Sequence, residues 1–143
     1  MTDRLSDPSG LKSLGHETRI EYDTANADLL ERFPNPMKGA KGRKIIKVVA
    51  PEFTSLCPMT GQPDYATIVL EYTPREWCVE SKSWKLYLMS FRNVGEFHEA
   101  CVTRMHNDLM ALLDPEWMVV EGQFTPRGGI SFWPRIEYSR DDA

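Results

Sequence analysis

The chain has 143 residues, of which 41% are hydrophobic and 27% are charged, and its formal net charge at pH 7 is −4. These values describe one ordinary globular domain and exclude the strongly basic surface that binds a nucleic acid backbone directly. No apolar run is long enough to span a bilayer, and the first residues form no hydrophobic signal segment. The odd number of cysteines indicates reduced thiols. We therefore expect a cytoplasmic protein without a membrane partner.

Residues 1–41 show little regular pattern, and we interpret them as the N-terminal arm of a single domain that spans residues 1–143. One or two helical turns are expected between Ala25 and Phe33. β-branched residues predict a strand over 44–50, and alternating side chains predict a second strand over 65–72. The loop between these strands is rich in Pro, Thr and Gly, and loops carry chemistry more often than the elements that they connect.

The next stretch of sequence has the periodicity of two amphipathic helices, predicted over 83–92 and 96–113. Their inward positions are predicted to be Trp84, Tyr87, Leu88 and Phe91 in the first helix and Phe97, Cys101, Met105, Leu109 and Leu112 in the second. Two more strands are predicted over 117–125 and 130–138. This order predicts an α+β fold, with an antiparallel four-stranded sheet that carries two helices on one face.

Cys57, in the loop between the first two strands, is a candidate nucleophile because an ionised thiol is the most nucleophilic side chain. Pro58 suits the start of a helical turn, whose amides would favour the thiolate. Asp64 follows closely and could donate or accept a proton, although a carboxylate raises the pKa of a nearby thiol unless an amide or a cation compensates. The residues alone leave open a small buried cysteine and a turn-forming aspartate.

Glu80 and Glu99 are candidate ligands for a purine-like base, because a carboxylate matches the two adjacent N–H donors on the edge of guanine. Both are equally consistent with solvated surface carboxylates. His98, next to Glu99, is a candidate proton donor or hydrogen-bond partner. His98 and Cys101 have the i, i+3 spacing of metal ligands on a helix, but no further cluster completes a ligand set, so no metal is expected.

Lys82 and Lys85 flank Trp84, and near a site they could bind the phosphates of a dinucleotide instead of being simply solvated. The sequence contains no Gly-x-Gly-x-x-Gly motif, which excludes a Rossmann domain. A nicotinamide cofactor would therefore bind in another way.

Several motifs, in order along the chain, resemble those of the NADPH-dependent 7-cyano-7-deazaguanine reductases, the nitrile reductases of queuosine biosynthesis. The longest is E-S-K-S-W-K-L-Y at 80–87. The others are P-E-F-T-S-L-C-P at 51–58, T-G-Q-P-D at 60–64, S-F-R-N at 90–93, F-H-E at 97–99 and F-T-P-R-G-G-I at 124–130. The resemblance covers nearly the whole chain after residue 44 and is to the short, single-domain branch.

The resemblance implies the tunnelling fold, in which sheets of several subunits join edge to edge into a barrel and the sites lie between subunits. A homo-oligomer is therefore expected, either one ring of five subunits or two stacked rings. Such an assembly would pair the open edge strands and would give the N-terminal arm a neighbour to pack on.

The resemblance also implies the reaction. Cys57 would attack the nitrile of 7-cyano-7-deazaguanine to form a covalent thioimide, Asp64 would supply the proton, and NADPH would supply two hydrides. The family's substrate-binding positions correspond to Val79, Glu80, Ser81, His98 and Glu99. From charge alone, Lys82, Lys85 and Arg127 are predicted to bind NADPH.

Cys101 suggests a separate hypothesis, because it lies one helical step beyond His98 and Glu99. A reversible disulfide with Cys57 would protect the nucleophile from over-oxidation. A core-facing cysteine explains Cys101 equally well, and mass analysis after mild peroxide treatment separates the two.

Two other functions remain open at the level of sequence. A hydrolase of the same fold, like GTP cyclohydrolase I, would need zinc, for which the three histidines are poorly spaced. A non-catalytic purine-binding or pterin-binding assembly protein of this fold would have no need of Cys57 and Asp64.

Overall fold

A computed structural model describes residues 21–142 of the chain. Its strands and helices, in chain order, are β1 (Arg32–Pro34), β2 (Ile46–Leu56), β3 (Pro63–Thr73), β4 (Trp77–Val79), α1 (Ser81–Met89), α2 (His98–Leu113), β5 (Trp117–Phe124) and β6 (Arg135–Ser139). Short 3₁₀ turns cover Ala27–Leu29 and Arg140–Asp142. The predicted α+β class and its two helices are confirmed.

The main sheet is antiparallel, with the strand order β2-β3-β5-β6. Its strands are long where they pair, and β2 and β3 align Ile46 with Tyr72 at one end and Ser55 with Asp64 at the other. Within the described chain, β2 and β6 each have one edge without a partner strand. The sheet therefore has two open edges.

One hydrophobic core lies between the sheet and the two helices. The alternating residues of β3 that the sequence placed on one face, Ala66, Ile68, Leu70 and Tyr72, are all at most 2% exposed. They pack in one cluster with residues of α1 and α2, so both helices cover the same face. The buried residues of α1 and its C-terminal turn agree with the predicted stripe of Trp84, Tyr87, Leu88 and Phe91.

β2 continues beyond the predicted end at residue 50 and reaches Leu56. The register shifts between Ala50 and Phe53, so Pro51, directly after the predicted end, lies in a β-bulge. An edge strand tolerates proline because the missing N–H leaves no bond unmade on its open side. Cys57 therefore comes directly after a strand, not in the middle of a long loop.

α2 begins at His98, two positions later than predicted, and Phe97 precedes it as the N-terminal cap residue. The predicted inward position of Phe97 is wrong, because its side chain is 57% exposed. Leu112 is only partly buried, and Val102 and Leu113 fill the core instead. His98 itself is buried at the start of the helix.

A second, two-stranded sheet was not predicted. It pairs β1 with β4, from Arg32 opposite Val79 to Pro34 opposite Trp77. The described part of the N-terminal arm, residues 21–41, thus packs on its own chain, while residues 1–20 lie outside the described residues. Neither α1 nor α2 combines the length and the apolar character needed to cross a membrane, and the same holds throughout the part of the chain that is described.

Candidate active site

Cys57 lies in a closed turn at the end of β2. Its backbone N–H donates to the carbonyl of Gln62 at 2.8 Å, and its own carbonyl accepts from the N–H of Gly61 at 2.9 Å. The Thr60 hydroxyl accepts from the N–H of Gln62 at 3.2 Å, and Gly61 has the positive φ of +70° that this tight return requires. The turn holds Cys57 in one position, with only 7% of the residue exposed.

The same turn stabilises the thiolate form of Cys57. Hydrogen bonds from the Thr60 hydroxyl and from the backbone amides of Thr60 and Met59, with a smaller contribution from the positive charge of Arg127, lower the pKa of Cys57 to about 7. A substantial thiolate fraction at neutral pH is what a nucleophilic cysteine requires. A carboxylate such as Asp64 raises the pKa of a nearby thiol unless an amide or a cation compensates, and both kinds of group are present beside Cys57.

Asp64 begins β3 directly across from Ser55, and its carboxylate is paired through one oxygen. Arg127 donates from Nε to Oδ1 at 3.0 Å and contacts the same oxygen through Nη2. Oδ2 is buried and has no hydrogen-bond partner among residues 21–142. Asp64 as a residue is 7% exposed, so one of its oxygens is held and the other is buried and unpaired.

His98 approaches the unpaired oxygen of Asp64. Its Nε2 lies 3.5 Å from Oδ2, but the geometry is not that of a hydrogen bond, and Nε2 has no other partner in the described part of the chain. The imidazole stacks on Phe124, with 3.8 Å between ring centroids, and the edge of Phe132 closes its other side at 6.3 Å. Burying Oδ2 of Asp64 and Nε2 of His98 without hydrogen-bond partners costs free energy, so the space between these two atoms is suited to a polar ligand.

A short parallel bridge brings the start of α2 to the end of β2. The N–H of Leu56 donates to the carbonyl of Val94 at 3.0 Å, and the N–H of Glu96 donates to the carbonyl of Leu56 at 3.2 Å. This contact places His98 and Glu99, on the first turn of α2, next to the Cys57 turn. Glu99 is exposed, and its carboxylate forms no ion pair within residues 21–142.

Cys101, one turn further along α2, is completely buried. Its Sγ donates to the Ser55 hydroxyl at 3.8 Å, and burial raises its pKa to about 11. Ser55 precedes Cys57 by two residues, so Cys101 contacts the strand that leads into the Cys57 turn. Both thiols are free in the structure, and the proposed disulfide stays a prediction.

Val79, Glu80 and Ser81 lie at the opposite end of the sheet. The N–H of Val79 donates to the Tyr72 hydroxyl at 3.1 Å, and Glu80 is the N-cap of α1, where its carboxylate accepts from the N–H groups of Lys82 and Ser83. These backbone hydrogen bonds lower the pKa of Glu80. Asp64 and Tyr72 are separated by most of β3, roughly 26 Å at about 3.3 Å per residue.

A groove of about 500 Å³ runs between β2 and α1. It extends from Ser81 at one end to Phe53 and Thr54 at the other, and Lys85 and Arg92 place two positive charges along it. Trp84 also lines the groove, and its indole N–H is buried without a partner among the described residues. Glu52 also lines the groove, which therefore carries two cations and one carboxylate between the two ends of the sheet.

No group of three or more His, Cys, Asp or Glu side chains with the arrangement of a metal site occurs within residues 21–142.

Comparisons with known proteins agree on one family. The family model described as "QueF-like protein" matches residues 63–143. The chain is 52% identical over 132 residues to an NADPH-dependent 7-cyano-7-deazaguanine reductase of Neisseria gonorrhoeae (strain NCCP11945), covering 92% of this chain and 82% of the relative. This chain belongs to the QueF family.

Other members of the QueF family are equally similar. Proteins of the same name from Bacillus velezensis and Bacillus subtilis are each 50% identical, over 98% and 97% of this chain and 84% and 83% of theirs. A crystal structure of the archaeosine synthase QueF-Like in its apo form superposes with a TM-score of 0.62 at 20% identity, over 68% of this chain and 95% of the other. At that identity, the superposition shows a shared fold.

Within this family member, the structure divides the predicted site residues into three groups. Cys57, Asp64, His98 and Glu99 lie at one end of the sheet, and Arg127 joins them through its contact with Asp64. Val79, Glu80 and Ser81 lie at the other end, with Lys82 one residue further along α1. Lys85 lines the groove between the two ends.

Thr60 and Phe124 were not singled out in the sequence. Thr60 could have been noticed because a hydroxyl close to a loop cysteine is a ready donor to a thiolate. Phe124 begins the motif at 124–130, but its stacking on His98 could not be predicted, because it depends on the alignment of β5 with β3, where Phe124 is opposite Ala66.

We expect Thr60→Val to raise the pKa of Cys57 from about 7 toward the ordinary thiol value of roughly 8.5, because the hydroxyl is the largest of the groups that lower it. The measurement is the pH dependence of iodoacetamide alkylation at Cys57. Thr60→Ser keeps the hydroxyl and should leave the midpoint in place. An unshifted midpoint in Thr60→Val would contradict the assignment.

Proposed function

We propose that this chain reduces the nitrile of 7-cyano-7-deazaguanine to an aminomethyl group with NADPH as reductant, as a cytoplasmic step of queuosine modification of tRNA. The observation that carries the proposal is the low-pKa Cys57 beside Asp64, whose free Oδ2 faces His98. Relatives about half identical over most of the chain bear the name of that activity. The reaction acts on a free base, in agreement with the lack of a basic surface.

Cys57 begins the reaction by adding its sulfur to the nitrile carbon. A nitrile is a weak electrophile, so attachment to the enzyme both activates it and retains it until reduction is complete. The thiol proton leaves through Asp64 and reaches the nitrile nitrogen, giving a thioimide. Phe124, stacked on His98, and Phe132, in edge contact with it, hold the imidazole where its Nε2 can bind the same substrate.

NADPH supplies a hydride when bound, and a nitrile needs two because it lies four electrons above an amine. The groove fits the charge of such a dinucleotide, since Lys85 and Arg92 line it and Lys82 lies one turn away on α1. We assign the phosphates to Lys82 and Lys85. The end of the groove at Phe53 and Thr54 lies close in sequence to Cys57, which suits hydride delivery to the carbon attached to sulfur.

Substrate contacts are assigned to Val79, Glu80, Ser81, His98 and Glu99. Within one chain these residues cannot meet on one ligand, because the Tyr72 end and the Asp64 end of β3 are separated by a distance on the order of 20 Å. We infer that Glu80 and Ser81 of one copy complete the site formed by Cys57 and Glu99 of another. The chain would then act as a single domain that is catalytically incomplete alone.

An assembly of that kind explains the open edges of the main sheet. β2 and β6 have unpaired edges in the described chain, and a row of unpaired backbone groups favours pairing with another strand. Several apolar side chains are exposed close to these edges and the site: Ile45, Val49, Phe97, Ile130, Phe132 and Trp133. A barrel of sheets in a ring of five subunits, or two such rings, accounts for these features.

Mixing the protein with 7-cyano-7-deazaguanine without NADPH should produce a covalent adduct on Cys57, because the addition step needs no reductant. Intact-mass spectrometry should find a gain of one ligand mass for each chain. The Cys57→Ala variant should show no gain, and adding NADPH to the wild-type adduct should remove it with consumption of two NADPH for each amine formed. Absence of the adduct in reduced, assembled protein would refute the covalent mechanism.

Charge reversal at Lys85 should weaken NADPH binding, because its ammonium lies in the groove assigned to the phosphates. We expect Lys85→Glu to raise the KM for NADPH about tenfold or more, equivalent to roughly 1.4 kcal/mol, with little change in adduct formation. Lys41→Glu, an exposed lysine before β2, serves as the control. An unchanged KM for NADPH in Lys85→Glu would contradict the assignment.

Two inactive variants should restore activity when they are co-assembled, if the site is shared between copies. Cys57→Ala and Glu80→Ala would each be inactive alone. In an equal mixture refolded or co-expressed together, about a quarter of the sites would combine an intact Cys57 with an intact Glu80. Turnover in the mixture is the measurement, and a mixture as inactive as its components would place both residues in one chain's site.

A further inference from the structure

Arg127, which the sequence predicted to bind NADPH, contacts Asp64 at the Cys57 end of the sheet and not the lysines of α1. Its guanidinium donates to Oδ1 of Asp64 through two nitrogens, Nε at 3.0 Å and Nη2. Both donors use the same oxygen, so the contact leaves Oδ2 without a partner among residues 21–142. The arginine therefore distinguishes between the two oxygens of one carboxylate.

The backbone around Arg127 is built to hold it there. Arg127 and Ile130 exchange two backbone hydrogen bonds, both of 3.0 Å, across Gly128 and Gly129. These glycines have φ angles of +57° and +77°, the positive values that the central residues of a type I′ turn require. The N–H of Thr125 donates to the carbonyl of Tyr65 at 2.9 Å, which extends the β3–β5 pairing to the level of Asp64.

We propose, as an extension of the function proposed above, that Arg127 is a positioning residue that holds Oδ1 of Asp64, so that Oδ2 is the atom that carries the proton from the Cys57 thiol to the substrate nitrogen. In this step the S–H bond breaks, an S–C bond forms, one π bond of the nitrile opens and an N–H bond forms. Electrons and protons balance between thiol and nitrile, so the step needs no oxidant or reductant.

Other contacts agree with this role. Oδ2 is the oxygen that faces Nε2 of His98 at 3.5 Å, and both atoms are buried, so the proton-carrying oxygen lies where a ligand would bridge the two groups. Arg127 also contributes to the low pKa of Cys57, after the larger contributions of Thr60 and Met59. A free carboxylate could rotate and offer either oxygen, whereas a carboxylate held through Oδ1 presents only one.

The test is the rate of adduct formation from saturating 7-cyano-7-deazaguanine in the absence of NADPH. Arg127→Gln should slow it about tenfold or more, within the range that general acid–base groups contribute, and Arg127→Lys should recover part of the rate. Arg135→Gln is the matched control, because the Arg135 side chain is 46% exposed against 49% for Arg127 and pairs only with Glu121 and Glu137 among the described residues.

A double-mutant cycle tests whether Arg127 acts through Asp64. In an Asp64→Asn background, Arg127→Gln should cause little further loss, because the carboxylate that it positions is already gone. Light scattering confirms that each variant keeps the wild-type assembly. An unchanged rate of adduct formation in Arg127→Gln would overturn the proposal. If the same variant also had a raised KM for NADPH, the result would favour the predicted role of Arg127 in binding NADPH.

Two further results would also overturn it. Full recovery of the rate in Arg127→Lys would show that a positive charge is sufficient and that the two-nitrogen contact with Oδ1 is not needed. Losses that add fully in the double variant would show that Arg127 acts independently of Asp64. Failure of the wild-type protein to form any adduct would instead refute the proposed function itself, so the two failures are distinguishable.

Discussion

The pairing of β2 with β3 is the contact on which the site depends. Their register places Ser55 opposite Asp64 and so brings the residue after β2 and the first residues of β3 to one end of the sheet. The β-bulge at Pro51 allows β2 to reach that end despite a residue that cannot donate a backbone hydrogen bond. Without this register, the nucleophile and the carboxylate would lie on opposite faces, because a slip by one residue inverts every side chain.

The end of the sheet then collects groups from two other elements. The parallel bridge at Leu56 brings in His98 at the start of α2, and the extension of β5 beyond Phe124 brings in Arg127. A thiol next to a carboxylate would normally resist ionisation. Here the turn amides and the Thr60 hydroxyl lower the pKa of Cys57, while the guanidinium holds the carboxylate. The candidate nucleophile and the candidate acid are therefore each stabilised by a different set of neighbours.

The opposite end of the sheet is organised around a helix terminus. Glu80 caps α1 through two backbone N–H groups, which fixes its carboxylate but also uses part of its hydrogen-bonding capacity. The substrate role assigned to Glu80 therefore relies on lone pairs that the cap leaves free, since a carboxylate can accept about four hydrogen bonds. The long separation from Cys57 is the reason for proposing a site shared between copies, and β2 and β6 each leave one edge unpaired in the described chain.

Much of the fold could be read from periodicity. The long strands and both helices have repeats of two or 3.6 residues that burial enforces, as in Ala66, Ile68, Leu70 and Tyr72. The predicted ends of these elements were less accurate. Proline ends most strands but is tolerated in an edge strand, as Pro51 is in β2. Phe97 continued the apolar stripe although it is the cap residue of α2. The β1–β4 sheet was missed, since strands of three residues are too short to show a period.

The sequence by itself determined the residue types of the site and their family, because motifs such as those around Cys57, Glu80 and His98 are specific and occur in a fixed order. Only the tertiary structure decided which of these residues meet. Sequence order says nothing about the alignment of β5 with β3, and that alignment, with the turn after β5, brings Arg127 to Oδ1 of Asp64. The pairing of β2 with β3 places Cys57 and Glu80 at opposite ends of the sheet, because distance along a rigid sheet is set by register and not by the spacing of motifs.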